Sequence, residues 1–347
     1  MGFIGLPFGR TAPVGAHPIL DLMNPLAISS PRLCSRALFT PLLSLLLATA
    51  LWSLPRRAHA QLYVRQFLGA VSGSGIVGEY NAGTGAAINS SFITSGLSSP
   101  YALALSGSDL LVANYGNGTV GEYNASTGAV INASFITGLG NPIGLTISGN
   151  NLFVADNSNG TISEYNASTG ASINASFITG LNESFALTVS GNDLYVAYYS
   201  AGYHVGEYNA TTGAAIAGFT SPSLGIVACL AVSGNNLYIS KGADHTVGEV
   251  GEYDATTGAV INANFIGPGS GDQTGLAILG NDLFEANEGF GTVTEYDATT
   301  GATINVISGL GEAYSLAVAA PEPDSAMLTL LGSFGLLLAR RKRPSAL

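Results

Sequence analysis

One short motif recurs six times along this chain of 347 residues. Glutamate followed by tyrosine, and then by asparagine or aspartate, begins at Glu79, Glu122, Glu164, Glu207, Glu252 and Glu295. Successive copies lie 42 to 45 residues apart. A period of roughly 40 to 45 residues is typical of propellers and related arrays, in which each repeat is one supersecondary unit. The repeat therefore predicts that the middle of the chain, from 61 to 320, is an array of six such units.

Each period contains four short segments with the composition of strands. In the third repeat these segments are 144–148, 152–155, 161–165 and 172–178. Asn159-Gly160 separates two of them and indicates a tight hairpin, because both turn residues must tolerate positive φ. Four strands that meander without an intervening helix are typical of a propeller blade. A solenoid is the competing repeat fold, but its usual periods and strand counts fit less well.

The two ends of the array complement each other. Residues 61–66 match the second strand of a repeat, and the last repeat stops after 315–319, which match a first strand. Pairing of the C-terminal strand with the N-terminal one would complete a shared blade and cover both sheet edges. We therefore expect an all-β, six-bladed propeller of four-stranded blades that is closed by these two segments.

Charge is distributed unevenly and excludes one class of partner. Arg65 and Lys241 are the only cations between residues 61 and 320, whereas this segment has 19 acidic residues and a net charge of −17. Binding to nucleic acid depends on clustered cations that neutralise phosphates. We therefore expect no nucleic-acid partner.

Residues 1–60 have the pattern of a signal peptide. Arg32 and Arg36 precede an apolar run over 37–54, and Ala58-His59-Ala60 supplies the small residues that signal peptidase accepts. A transmembrane anchor is the alternative, but Pro41 interrupts the run. The segment predicts an exported protein.

The C-terminal residues 321–347 contain three signals in a fixed order. A Pro-Glu-Pro motif comes first, an apolar segment over 325–339 predicts a short transmembrane helix, and a basic cluster follows. The two flanking motifs are Pro321, Glu322, Pro323, Arg340, Arg341, Lys342 and Arg343. This order resembles the PEP-CTERM sorting signal of Gram-negative bacteria. The resemblance implies transient membrane anchoring, processing by an exosortase, and a place in the cell envelope, on the surface or in the extracellular matrix. An ordinary tail anchor is the alternative.

The repeat itself resembles propellers of the NHL and YVTN type. The likeness is carried by 141–145, 152–157 and 161–165, and it extends over nearly all of 61–319. It implies the propeller fold, whereas function is not implied, because related propellers serve as binding platforms, structural modules and enzymes.

Propellers usually bind ligands on the face formed by the loops that lead into the first strands and by those that join second to third strands. The first set offers oxygen ligands that suit Ca²⁺: Asn141, Glu183, Asp272 and Glu312. The second set offers aromatic faces that suit sugar rings, together with one carboxylate: Tyr115, Tyr198, Tyr199, Tyr203, Asp244 and Phe290. Ordinary polar turns are the competing interpretation. We expect no other metal and no organic cofactor.

Three further features concern buried or reactive groups. Cys229 occupies a position at which the other first strands have small residues, which predicts a packed thiol. Glu285 replaces the valine or isoleucine of the other second strands, and we expect it to pair with Arg65 across the closing blade, or with Lys241. The six repeated glutamates are expected to meet solvent or to accept hydrogen bonds from Ser, Thr and Tyr hydroxyl groups and from backbone amides.

These observations leave two classes of function. The first is an exported surface or matrix protein whose propeller is a binding or structural platform, with exopolysaccharide or a surface protein as the candidate partner. The second is a hydrolase or lyase similar to gluconolactonase-like or streptogramin-lyase propellers, which hold a metal or a general base at the axis. No catalytic residue is identified. Converging carboxylates at the channel mouth would favour the enzyme, and an apolar axis would favour the platform.

Overall fold

The structure is a computed structural model that describes residues 60–67, 75–219, 224–242, 248–269 and 273–320. The predicted signal peptide and sorting tail lie outside these residues, as do Asp244 and Asp272. Within the described part, no helix is long and apolar enough to cross a membrane.

The described residues form six antiparallel sheets, each of which is one blade. Blade 1 contains β1 (Gln61–Phe67), β2 (Gly75–Asn81), β3 (Ala87–Ile93) and the last strand, β23 (Glu312–Ala319). Blade 2 contains β4 (Pro100–Ser106), β5 (Asp109–Asn114), β6 (Thr119–Asn124) and β7 (Val130–Ile136). Blade 3 contains β8 (Pro142–Ser148), β9 (Asn151–Asp156), β10 (Thr161–Asn166) and β11 (Ser172–Ile178).

The second half of the ring repeats this arrangement with one exception. Blade 4 contains β12 (Glu183–Ser190), β13 (Asp193–Tyr199) and β14 (Tyr203–Asn209). Blade 5 contains β15 (Ile226–Ser233), β16 (Asn236–Gly242), β17 (Gly248–Asp254) and β18 (Val260–Gly269). Blade 6 contains β19 (Gln273–Leu279), β20 (Asp282–Asn287), β21 (Thr292–Asp297) and β22 (Thr303–Ile307). The predicted six-bladed propeller is confirmed.

The ring closes where the sequence predicts it. Strand β1 pairs with β2 on one side and with β23 on the other, from Gln61 opposite Ala319 to Phe67 opposite Glu312. The last strand is therefore the innermost strand of the first blade. Gly85 in the same blade approaches Ile307 of blade 6, so the seam is packed as well as hydrogen-bonded.

Blade 4 departs from the expected four strands. Its outer segment is reduced to an isolated bridge between Tyr208 and Ala215. The other five outer strands carry an Ile-Asn pair, whereas blade 4 has Ile216-Ala217-Gly218-Phe219, which lacks the asparagine. The asparagine matters because in blade 3 the Asn174 Oδ1 accepts the N–H of Ser176 at 3.1 Å. Without this bond, and with a glycine in the segment, the outer strand is less favoured.

The blades are joined by packing and by a few repeated polar contacts. The second strands are almost wholly buried, as in β5 and β9. Tyr238 of blade 5 donates a hydrogen bond to the Ala298 carbonyl of blade 6 at 2.5 Å. Tyr63 and Tyr195 make the equivalent bonds, to Ala125 at 2.7 Å and to Ala255 at 2.9 Å. Each of these tyrosines fixes its blade to the next one around the ring.

The turn between third and fourth strands is also an inter-blade contact. In blade 3 the Asn166 Oδ1 accepts the N–H groups of Ser168 and Thr169, at 3.0 and 2.9 Å. Gly170 follows with a φ of +68°, and a Cβ at this position would lie 2.5 Å from the Phe135 carbonyl oxygen of blade 2. The glycine is therefore required both by its backbone conformation and by the neighbouring blade.

Candidate functional site

The six inner strands surround a central cavity of about 360 Å³. Six leucines at equivalent positions line its wall: Leu103, Leu145, Leu187, Leu230, Leu276 and Leu316. Each of them is also packed in the core between two blades. Among the described residues that line the cavity, Glu183 is the one carboxylate. The axis is therefore predominantly apolar.

A repeated backbone irregularity produces the variable part of this wall. The register of every inner strand shifts near its start, as between Ser184 and Ala186 in β12 and between Gln273 and Gly275 in β19. A bulge leaves one residue outside the regular pairing and re-aims its side chain. The residues at this position are Tyr101, Ile143, Phe185, Ala228, Thr274 and Tyr314, and all of them line the cavity. The scaffold is thus uniform, whereas the bulge residue differs between blades.

One side of the cavity is lined by Tyr101 and Tyr314, and Tyr115, which is not a lining residue, packs against Tyr101; we call these three residues the tyrosine wall. The rings of Tyr101 and Tyr314 meet edge to face with centroids 5.0 Å apart, and their hydroxyl groups lie 3.2 Å apart. The Tyr115 ring lies 5.2 Å from that of Tyr101. This wall spans blades 1 and 2, beside the seam.

Arg65 supports the tyrosine wall from inside the protein. Its guanidinium carbon lies 4.5 Å from the ring centroid of Tyr314 and 5.4 Å from that of Tyr101, and the residue is only 1% exposed. Burial lowers the pKa of Arg65, while the two tyrosines, Glu288 and Glu312 oppose this shift. An arginine remains charged even so. The rings therefore meet a buried cation on the protein side.

Blade 4 provides a second wall, which we call the Glu183 row: Glu183, Tyr199, Tyr203 and Phe185. Glu183 pairs with Tyr199 in the sheet, and Tyr199 pairs with Tyr203. Directly paired residues present their side chains on the same face of a sheet. The ring of Tyr203 lies 5.2 Å from that of Tyr199 and 5.7 Å from that of Phe185. Since blade 4 is three blades away from blade 1, the two walls stand on opposite sides of the axis.

The structure brings together only some of the residues that the sequence predicts for this face. Tyr115 joins the tyrosine wall, and Glu183, Tyr199 and Tyr203 form one row. Tyr198, one residue from Tyr199, stacks on His204 and packs in the core next to blade 3.

Three further predicted residues lie apart from the cavity lining. Phe290 is 57% exposed in the loop between β20 and β21. Asn141 accepts a hydrogen bond from the hydroxyl of Ser158. Glu312 is exposed at the start of β23, where it influences Arg65. Over the described ranges, no three His, Cys, Asp or Glu side chains are grouped so that they could hold a metal ion. The Ca²⁺ ligand set therefore stays a prediction.

Glu285 has other partners than the expected cations. Its carboxyl group is hydrogen-bonded by the side chains of Tyr296 and Gln273, and burial raises its pKa to about 7. Lys241 instead pairs with Glu249, at 2.8 Å between Nζ and Oε1. Arg65 lies between the two tyrosine rings. Glu285 thus contacts neutral groups. Its cross-strand partner is Thr294, and Tyr296, two positions further along the same strand, forms the hydrogen bond with it.

The repeated glutamates are buried, which corrects one of the two expectations made for them. Their exposed fractions lie between 2 and 8%, so they do not meet solvent freely. At two of them the donors are side-chain amides rather than the expected hydroxyl groups or backbone amides: Gln61 donates to Glu79 at 2.8 Å, and Asn236 donates to Glu252 at 2.7 Å. Burial raises the pKa of Glu207 to about 7, and the nearby carboxylate of Asp193 contributes to this rise.

Cys229 is a packed thiol, as predicted. Its Sγ accepts the Leu276 N–H of the next blade at 3.3 Å. Burial raises the pKa of the thiol, which disfavours the nucleophilic thiolate.

Sequence reasoning missed the bulge residues. Tyr101, Phe185 and Tyr314 lie in predicted first strands, where alternation alone does not show which residues face the axis. One signal was present, because this position varies among tyrosine, isoleucine, phenylalanine, alanine and threonine between otherwise similar repeats. Arg65 was noticed as an unusual charge, but its tyrosine partners come from two other strands.

One solved structure has the same architecture. The propeller is similar to a chain of the crystal structure of the nidogen/laminin complex, with 13% identity, a TM-score of 0.63, and coverage of 76% of this chain and 100% of that chain. At this identity the likeness shows the fold alone. A second similar structure is the computationally designed Ika8 protein, with 19% identity, a TM-score of 0.45, and coverage of 73% of this chain and 76% of that chain.

At the level of sequence, no curated protein matches the chain. A family model does match, over residues 73–304, and this range includes parts of all six blades. The family is PQQ_2, described as outer membrane protein assembly factor BamB. The expected resemblance to NHL and YVTN propellers thus gave the right architecture, and the chain belongs to the PQQ_2 (BamB) family.

Proposed function

We propose that this protein is an exported propeller that binds carbohydrate at the mouth of its central channel and serves as a binding platform. The observation that carries the proposal is the pair of aromatic walls on opposite sides of an apolar cavity. Aromatic rings offer flat apolar faces with polar edges, and these faces suit the C–H surfaces of sugar rings. A cavity of about 360 Å³ is of the size of sites for small ligands.

The chemistry of the cavity favours binding over catalysis. A hydrolase or lyase needs a general base or a metal close to the reacting atoms. Among the described lining residues there is one carboxylate, Glu183, and it stands beside aromatic rings rather than beside a second acid or base. The thiol of Cys229 is held by a backbone N–H. We therefore prefer the platform to the enzyme.

The proposed localisation of the protein is inferred from the sequence. The pattern over 1–60 predicts export, and the PEP-CTERM-like order over 321–343 predicts sorting at the cell envelope. Proteins with this tail are usually made by hosts that secrete exopolysaccharide, which supports a polysaccharide as the ligand. Deletion of 321–347, followed by localisation of the protein in cell fractions, tests this part. Unchanged sorting of the shortened chain would contradict it.

Binding is tested on a glycan array with the purified full-length chain. We expect retention on one class of glycan, and we expect Tyr203→Ala to reduce it at least tenfold. Phe290→Ala is the matched control, because Phe290 is more exposed but lies outside the cavity lining. If no glycan is retained, or if the two variants bind equally, the proposal is wrong.

A further inference from the structure

The charges around the cavity suggest which carbohydrate the mouth accepts. We propose that it binds a sugar bearing a protonated amine, as in a chain of hexosamine units without N-acetyl groups, and that Glu183 pairs with the ammonium group. This inference rests on the proposed function. It goes further because it assigns the sign of the ligand's charge and the residue that recognises it.

The first step excludes anionic glycans. The segment 61–320 has a net charge of −17 and two cations. One of them, Lys241, is paired with Glu249 at 2.8 Å and donates to the Ala263 carbonyl at 2.9 Å. The other, Arg65, is buried behind the tyrosine wall. Neither is presented to a ligand in the cavity, and the surrounding field repels polyanions such as uronate chains.

The second step concerns the position of Glu183. The strands of blade 4 reach one pairing further towards the mouth than those of blade 3: β12, β13 and β14 have 8, 7 and 7 residues, whereas β8, β9 and β10 have 7, 6 and 6. The additional pairing is the one that joins Glu183, Tyr199 and Tyr203. Blade 4 thus places an exposed carboxylate among three rings at the cavity.

The third step is the chemistry of this row. An ammonium group is attracted by aromatic faces and forms charge-assisted hydrogen bonds with a carboxylate. Both are available at the Glu183 row, where Tyr199 is 39% exposed. The tyrosine wall is different, because its rings already meet the Arg65 guanidinium on the protein side. That wall therefore suits the neutral face of a second sugar ring.

The test compares two probes that differ in one group. Isothermal titration calorimetry with the full-length chain at pH 6 uses the glucosamine trimer and the N-acetylglucosamine trimer. We expect the amine form to bind at least tenfold more tightly. Glu183→Gln should remove this preference, so that the two trimers bind with similar affinity. Because Glu183 is exposed, the variant should keep its circular dichroism spectrum and its melting temperature.

Each outcome has a defined meaning. Equal or tighter binding of the acetylated trimer, or a Glu183→Gln variant that retains the amine preference, overturns the inference but leaves a carbohydrate platform in place. Binding of a uronate trimer instead would also overturn it. If no glycan of any class binds at the mouth, the proposed function and the inference both fail. A preference for the amine that is lost in Glu183→Gln but kept in Phe290→Ala supports the inference.

Discussion

Glu285 makes a specific prediction about the pH dependence of stability. Burial raises the pKa of its carboxyl group from the ordinary value of 4.5 to about 7, although Tyr296 and Gln273 lower it through hydrogen bonds. Since a tenfold change in proton affinity corresponds to about 1.4 kcal/mol, this rise corresponds to roughly 3 kcal/mol. The folded state therefore binds the proton more tightly than the unfolded state by about this amount.

The sign follows from proton linkage. A carboxyl group with a raised pKa in the folded state contributes its full stabilisation below pH 4.5 and loses it as the pH rises through about 7. Glu285→Gln keeps a hydrogen-bonding side chain but does not ionise. We expect the free energy of unfolding of the wild type, relative to this variant, to fall by roughly 3 kcal/mol between pH 4.5 and pH 8.

Urea unfolding at a series of pH values measures this difference. Far-UV circular dichroism is the appropriate signal, because Trp52, the single tryptophan, lies outside the described propeller. Glu249→Gln is the control. Its surface ion pair with Lys241 is worth at most about 1 kcal/mol, so its effect should be small throughout. A difference between wild type and Glu285→Gln that is the same at pH 4.5 and pH 8 would refute the reasoning.

Two other substitutions test how the blades are held together. Tyr238→Phe removes the buried hydrogen bond to the Ala298 carbonyl, and we expect a loss of about 1 to 2 kcal/mol in urea unfolding; an unchanged midpoint would contradict the proposed role of this tyrosine. Gly170→Ala should cost more than Gly149→Ala in the same assay, because both glycines have a positive φ but only at Gly170 would the Cβ approach the neighbouring blade, at Phe135. Equal costs would show that backbone conformation alone matters at Gly170.

Most of the fold could be predicted because the repeat is visible in the sequence. The recurrence of Glu-Tyr with a period near 43 residues, and the complementary ends, predict six blades and their closure. The shortened outer segment of blade 4 was not predicted. Its sequence lacks an asparagine whose side chain, in blade 3, accepts a backbone N–H of the same strand. Such a local bond is not apparent from strand composition.

The candidate site was predicted only in part, for a physical reason. Tyr115, Glu183, Tyr199 and Tyr203 were predicted for the ligand face as loop residues, and the last three lie at the ends of β12, β13 and β14. The bulge residues of the inner strands were not predicted, because a bulge in each strand changes which side chains face the axis. The partners of Glu285 were likewise missed, because they come from strands on either side of its own and are neutral.

The seam between first and last strands also bears on how the protein matures. Blade 1 lacks its innermost strand until residues 312–319 have been made, and these residues are 245 positions or more from β1. During synthesis, β1 therefore has an unpaired strand edge until the last strand is available. The predicted sorting motif begins at Pro321, two residues after the strand ends. An enzyme that cleaves at this motif would act directly beside the strand whose pairing with β1 closes the ring.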